Sequence, residues 1–193
     1  MKLLQRSDLY SLENYAVIRD DFRAEVMQHK KNRFVQLGGN LRLLFEDRLT
    51  MQYQIQEILR IEKIFDAEGI DEELCVYNPL IPDGQNLKVV MMIEFSDPEK
   101  RKEALAKLIG VERKTWLKVE GFDRVYPIAN EDLDRETDEK TSSVHFMRFE
   151  FSEAMIQALK EGALMNAGVD HTEYQQEVSL NDVVRDSLVN DFD

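Results

Sequence analysis

Few residues of this chain are equipped for chemistry. Three histidines, His29, His145 and His171, and one cysteine, Cys75, supply its only imidazoles and thiol. Imidazoles joined by a carboxylate such as Glu62 would satisfy zinc or non-haem iron, which makes His29, Glu62, His145 and His171 the candidate metal ligands. Nothing in their spacing demands a site. There is no HExxH pair, no ExxH pair of the di-iron type and no CxxC. A second set consists of polar groups on apolar faces. Placed on a helix, RLTMQYQIQEILRIEKIF (48–65) puts Met51, Ile55, Ile58, Leu59, Ile61 and Phe65 on one arc. Gln52, Gln56, Arg60 and Lys63 fall opposite, with Tyr53 and Glu57. Gln54 and Glu62 interrupt the apolar arc. An inward carboxylate needs a cation, a metal or a proton, and Arg48 and Arg148 are candidate cations. Arg48, Gln54, Glu62, His145 and Arg148 are therefore the candidate ligand-binding residues. The alternative is that Glu62 makes a structural ion pair or snorkels to the rim.

The histidines have plainer readings too. In SVHFMRFEF, strand alternation places His145 with Met147, Phe149 and Phe151 on the more apolar face, as a packed core residue. Asp170-His171 lies in a turn-like AGVDHTEY, and His29 stands near a helix end as a capping cation. No GxGxxG, GxxxxGK[ST], GxSxG or EF-hand pattern occurs, so no catalytic fingerprint or required cofactor is expected.

The elements that must position these groups follow from caps and periodicity. Ser7 is the expected cap of a first helix, and Phe22 and Val26 mark a second over 20–31. RFVQL and LRLLFE flank Gly38-Gly39-Asn40 as a hairpin, and the long helix follows, with Gly69 as its stop. The acidic stretch from Asp66 to Glu73 and YNPLIPDG, with its Pro82-Asp83-Gly84 turn, are expected to connect subdomains. A repeat then appears. MIEFSDPEKRKEALAKLIG (92–110) and MRFEFSEAMIQALKEG (147–162) share an apolar strand, Glu-Phe-Ser, a helix with Ala-Leu and a closing Gly. Ser96 and Ser152 are the expected caps, with TWLKVE and DRVYPIA as short strands between. The acidic run 131–140 is expected as a solvated loop. A strand near 173–178 and a last helix capped by Ser179 complete the chain.

The expected class is α+β: N-terminal helices, a β-hairpin and the long helix, packed on a ferredoxin-like split βαβ antiparallel sheet. Residues 1–80 and 81–193 are the expected subdomains of one compact unit.

At 193 residues and 43% apolar content the chain can build a full core. Its net charge of −13 argues against nucleic-acid binding, which needs Lys and Arg to neutralise phosphates. The one basic cluster, 29–33, is short. The longest apolar run, 89–93, is too short to span a bilayer, and MKLLQRSDLY carries no secretion signal. A single cysteine suits a reducing cytoplasm.

Several segments resemble a bacterial family, domain-of-unknown-function family 3501: HKKNR (29–33), LFEDRLTMQYQIQEILRIEKIF (44–65), YNPLIPDG (77–84), DEKTSSVHFMRFE (138–150) and GVDH (168–171). The resemblance spans most of the chain and carries over no catalytic residue or cofactor. Genes of that family stand beside those of rubrerythrin-like and iron–sulfur proteins, which implies a cytoplasmic accessory role in peroxide or redox metabolism, with a redox protein as partner. Thr172 stands where members often have Pro. Two readings follow: a non-enzymatic accessory protein whose acidic surface docks a partner, or an enzyme or small-ligand binder with a buried polar pocket lined by the 48–65 helix.

Overall fold

The structure is a computed structural model that describes residues 2–131, 135, 137 and 139–192. Much of the expected acidic loop (Asp132, Leu133, Asp134, Glu136 and Asp138) lies outside the described residues.

Three helices form one layer. Residues Arg6–Asp8 make a single 3-10 turn, and α1 (Leu12–Lys30) is one helix where two were expected. Ser11, not Ser7, caps it by accepting from the Asn14 N–H, and no Gly or Pro interrupts the stretch. Tyr15, Phe22 and Val26 recur at helical spacing as its buried stripe. Helix α2 (Arg48–Glu62) starts at Asp47, whose carboxylate accepts from Thr50 N–H while the Thr50 hydroxyl serves the Asp47 N–H. It ends at Lys63, which turns left-handed (φ 57°), and so stops short of Phe65. The acidic stretch read as a connector is itself a helix, α3 (Ala67–Tyr77), capped by Asp66 with Gly69 in its first turn. Leu74 is buried and Ile70 and Tyr77 partly so, against Met51, Ile55 and Leu59 of α2.

Glu57 clasps α1 to α2. Arg19 meets it with two parallel bonds of 2.8 Å, and the Tyr15 hydroxyl donates to it at 2.8 Å. The Arg19 fork, then Tyr15 and Arg60, hold the Glu57 carboxyl near a pKa of about 2, against burial that opposes this. A depressed carboxyl contributes stability that is fully present above 4.5 and is lost as pH falls through about 2. Glu57→Gln should therefore cost on the order of 2 kcal/mol at pH 7 after solvent screening. That cost should shrink between pH 4.5 and 2, read by urea unfolding at stepped pH.

Two antiparallel sheets make the rest. Strands β1 (Phe34–Leu37) and β2 (Leu41–Glu46) form the expected hairpin, with Gly38 at φ +64°. They join β3 (Asn86–Ile93), β7 (Val144–Glu150) and β6 (Ile128–Ala129) in the order β1-β2-β3-β7-β6. The second sheet has the order β5-β4-β8-β9, from β4 (Thr115–Val119), β5 (Arg124–Val125), β8 (Met165–His171) and β9 (Tyr174–Ser179). Leu87, Val89 and Met91 of the first sheet and Leu117, Val119 and Val169 of the second share one core with α4 (Pro98–Lys107), α5 (Glu153–Lys160) and α6 (Asp182–Val189).

The α+β class stands, but the strands are not in a single ferredoxin-like sheet. The two repeated units each begin in the first sheet, cross on a helix and end in the second. Their first strands pair antiparallel (Met91↔His145) and so do their second strands (Leu117↔Ala167). Alternation identifies the apolar face of a strand, but a face is buried equally well by a helix or by an opposing sheet. Caps shift by a residue or two as well. Asp97 caps α4 where Ser96 was expected, Asn181 caps α6 where Ser179 was expected, and Ser152 caps α5 as expected.

Candidate functional site

Register builds a cleft on the outer face of the first sheet. Asn86, Lys88 and Val90 alternate away from the core, as do Phe146 and Arg148, and Lys88 stands directly opposite Arg148 and Arg148 opposite Ile128. The other wall is the end of α3 and the following turn: Val76, Tyr77, Pro79 and Leu80. Between them lies a cavity of about 790 Å³, with Glu131 and Arg135 at its rim. That size is within the range of small-molecule sites.

The cleft is apolar with fixed charges. Arg148 offers its fork to Glu131, with Nε donating to Oε2 at 2.9 Å and Nη2 to Oε1 at 2.7 Å. Its remaining nitrogen, Nη1, pairs with Glu150. These bonds raise Arg148 above its usual range, and the same fork holds Glu131 below its own. Lys88 makes no ion pair among the described residues; burial, and then the neighbouring Arg148, push its ammonium down. The Arg135 guanidinium lies 4.6 Å from the centre of the Phe146 ring.

The expected ligand-binding residues are scattered. Arg148 lines the cleft, and Gln54, exposed, stands beside the Tyr77 hydroxyl. Arg48 is engaged elsewhere, with Asp8 at 2.9 Å and the Lys2 carbonyl at 3.0 Å. Glu62 is exposed and does not point into the core. It is the last residue before the helix turns left-handed, so its side of α2 runs past the neighbours that bury Met51, Ile55 and Leu59. Helix α2 thus does not line the cleft.

The histidines and Glu62 do not meet either. Among the described residues no cluster of three His, Cys, Asp or Glu side chains could hold a metal. His29 Nε2 sits 2.5 Å from Asp47. His171 Nδ1 accepts from the Glu173 N–H and Nε2 donates to the Ile109 carbonyl, which leaves no lone pair free. The turn-like stretch is the end of β8 and its hairpin to β9. His145 is fully buried on the expected apolar face, with Nε2 3.0 Å from both the Ser142 carbonyl and the Thr141 hydroxyl. Its Nδ1 faces Asn130 at 3.2 Å and Glu112 at 3.9 Å.

A buried ion cluster stands apart from the cleft. Arg33, 2% exposed, reaches Asp191 at 2.5 Å and Asp47 at 3.3 Å. Burial pushes the Asp191 carboxyl up to about 6 despite Arg33, whereas Asp47, which burial also pushes up, is held below its usual value by His29, Arg33 and the Thr50 N–H.

The family described as "Protein of unknown function (DUF3501)" matches residues 3–192. The chain belongs to that family. It is similar to a protein of unknown function from Burkholderia pseudomallei K96243, whose crystal structure superposes with a TM-score of 0.93 at 49% identity, covering 100% of both chains. No curated protein matches.

Sequence reading missed Lys88, the Tyr77–Leu80 wall and Glu131 in this DUF3501 chain. The signals were present. Ile70, Leu74 and Tyr77 recur at helical spacing inside the acidic stretch, and alternation in NLKVVMMI turns Lys88 away from the core. Only the register sets Lys88 against Arg148.

Proposed function

We propose that this protein binds a small organic anion with an apolar body in the cleft between α3 and the first sheet. The observation that carries the reading is the facing pair Lys88 and Arg148 beneath apolar walls, on a chain of net charge −13. Cations gathered in an apolar recess of an acidic protein concentrate anions that the remaining surface repels. No reacting group is assigned, and the role is one of binding.

Fluorescence titration with 1-anilinonaphthalene-8-sulfonate tests this directly. The native protein should give saturable one-to-one binding, and Lys88→Ala and Arg148→Ala should each weaken it about tenfold or more, the worth of a charged hydrogen bond. Equal binding by all three proteins would sink the reading.

The net charge favours a second reading, an accessory protein docking a basic partner, with the redox proteins beside which its family is encoded as the partner class. The single exposed Cys75 agrees with a reducing cytoplasm as its location. Among the described residues no helix is long and apolar enough to cross a membrane. Capture of such a partner at low salt and its release at high salt would support this reading over the first.

A further inference from the structure

We propose that Glu131 is an internal stand-in for the ligand's own carboxylate: the cleft takes an amphipathic carboxylate, which replaces Glu131 on the Arg148 fork and extends its charge toward Lys88. This rests on the binding reading above and names its ligand class and its built-in competitor.

Three observations carry it. First, Glu131 meets Arg148 in the two-bond arrangement, Nε to Oε2 at 2.9 Å and Nη2 to Oε1 at 2.7 Å, that a planar carboxylate makes with a guanidinium. The cleft wall therefore already presents carboxylate-shaped recognition. Second, the Glu131 side chain is 51% exposed whereas that of Arg148 is 24% exposed. Glu131 can turn out to water, where its half-exposed carboxylate is solvated, while Arg148 stays, held also by Glu150. Third, Lys88 is cross-strand from Arg148 and makes no ion pair among the described residues; Glu131 acts on it only through space, so a carboxylate seated between the two strands can contact both cations. Tyr77, Leu80 and Phe146 provide the apolar surface for the ligand's body. Binding is then an exchange: one carboxylate leaves the fork, another enters, and Arg148 stays paired throughout.

Isothermal titration with decanoate, decyl phosphate and decanol, on the native chain, Glu131→Gln and Arg148→Ala, tests the exchange. Glu131→Gln should bind decanoate about tenfold more tightly, because its competitor has lost its charge, with a melting temperature lowered by no more than about a few degrees. Arg148→Ala should lose decanoate binding, and decanol should bind weakly and equally to all three. Native binding of decanoate with no gain in Glu131→Gln overturns the exchange and leaves the binding reading intact. Equal gains for decyl phosphate overturn the carboxylate class. No binding of decanoate or decyl phosphate to either the native chain or Glu131→Gln overturns the exchange, and loss of sulfonate binding in the preceding titration shows whether the binding reading fails with it.

Discussion

Arg33→Ala should destabilise the fold by about 3–5 kcal/mol, the cost of removing one partner from a buried charge network. Arg33 is placed by the turn after α1, and its guanidinium is spent on backbone as well as on charge. Nε donates to the Phe45 carbonyl at 3.1 Å, Nη1 to the Ser187 carbonyl at 3.1 Å and Nη2 to Asp191 at 2.5 Å. One side chain thereby joins the end of α1, strand β2, the start of α2 at Asp47 and the C-terminal turn. Truncation leaves the buried Asp191 carboxylate without its cation and leaves Asp47 with only His29 and the Thr50 N–H. Arg33→Lys should recover only part of the loss, since an ammonium cannot reproduce the planar fork.

The pH dependence of Arg33→Ala distinguishes charge from packing. A carboxyl raised in the folded state, as Asp191 is to about 6, favours folding while it is protonated and withdraws that contribution as pH rises from 3.8 through 6. Without Arg33 the withdrawal should extend to higher pH, so Arg33→Ala should approach native stability on acidification toward about pH 4. A loss constant across pH would assign the effect to packing alone. Urea unfolding followed by circular dichroism reads both.

The second large effect is expected at Gly168. Gly168→Ala should cost about 2–4 kcal/mol, because the added Cβ would overlap the six-membered ring of Trp116, directly across the β4–β8 pair. The ring cannot retreat. It is fully buried, and the Arg124 guanidinium lies 4.0 Å from its centre, itself held by Asp170 and Glu177. Combining Gly168→Ala with Trp116→Phe should relieve part of the cost, a non-additivity that marks direct contact. Phe sacrifices no hydrogen bond there, because the Trp116 indole N–H has no hydrogen-bond partner among the described residues. Trp116 is the single tryptophan of the chain, so its emission reports any displacement in Gly168→Ala directly.

Legibility varied with how local the deciding physics was. On β7, alternation placed His145 on the buried face with Met147 and Phe149, and there it lies. On α2, the wheel found Met51, Ile55 and Leu59 but misjudged its polar members. Gln56 looked solvated, yet it is fully buried, accepting from the Tyr10 N–H at 2.6 Å and donating to the Tyr10 carbonyl at 3.4 Å. An irregular segment packed against a helix needs partners for its backbone, and nothing local announces which residue will supply them. Glu62 went the other way: it is exposed, as the rim alternative had it and not the inward one, because an apolar arc is buried only as far as its neighbours extend.

The sequence by itself determined the α+β class, the hairpin, the repeated strand–helix plan and the inward face of β7, since caps, turns and periodicity are free-energy preferences spanning a few residues. Only the tertiary structure decided that the repeats split between two sheets, that Lys88 faces Arg148 across sixty residues of chain, and that Arg33 holds the C-terminal turn. Strands with similar apolar faces can pair in several ways at similar local cost. The choice falls to the arrangement that buries all their faces and satisfies all their charges at once.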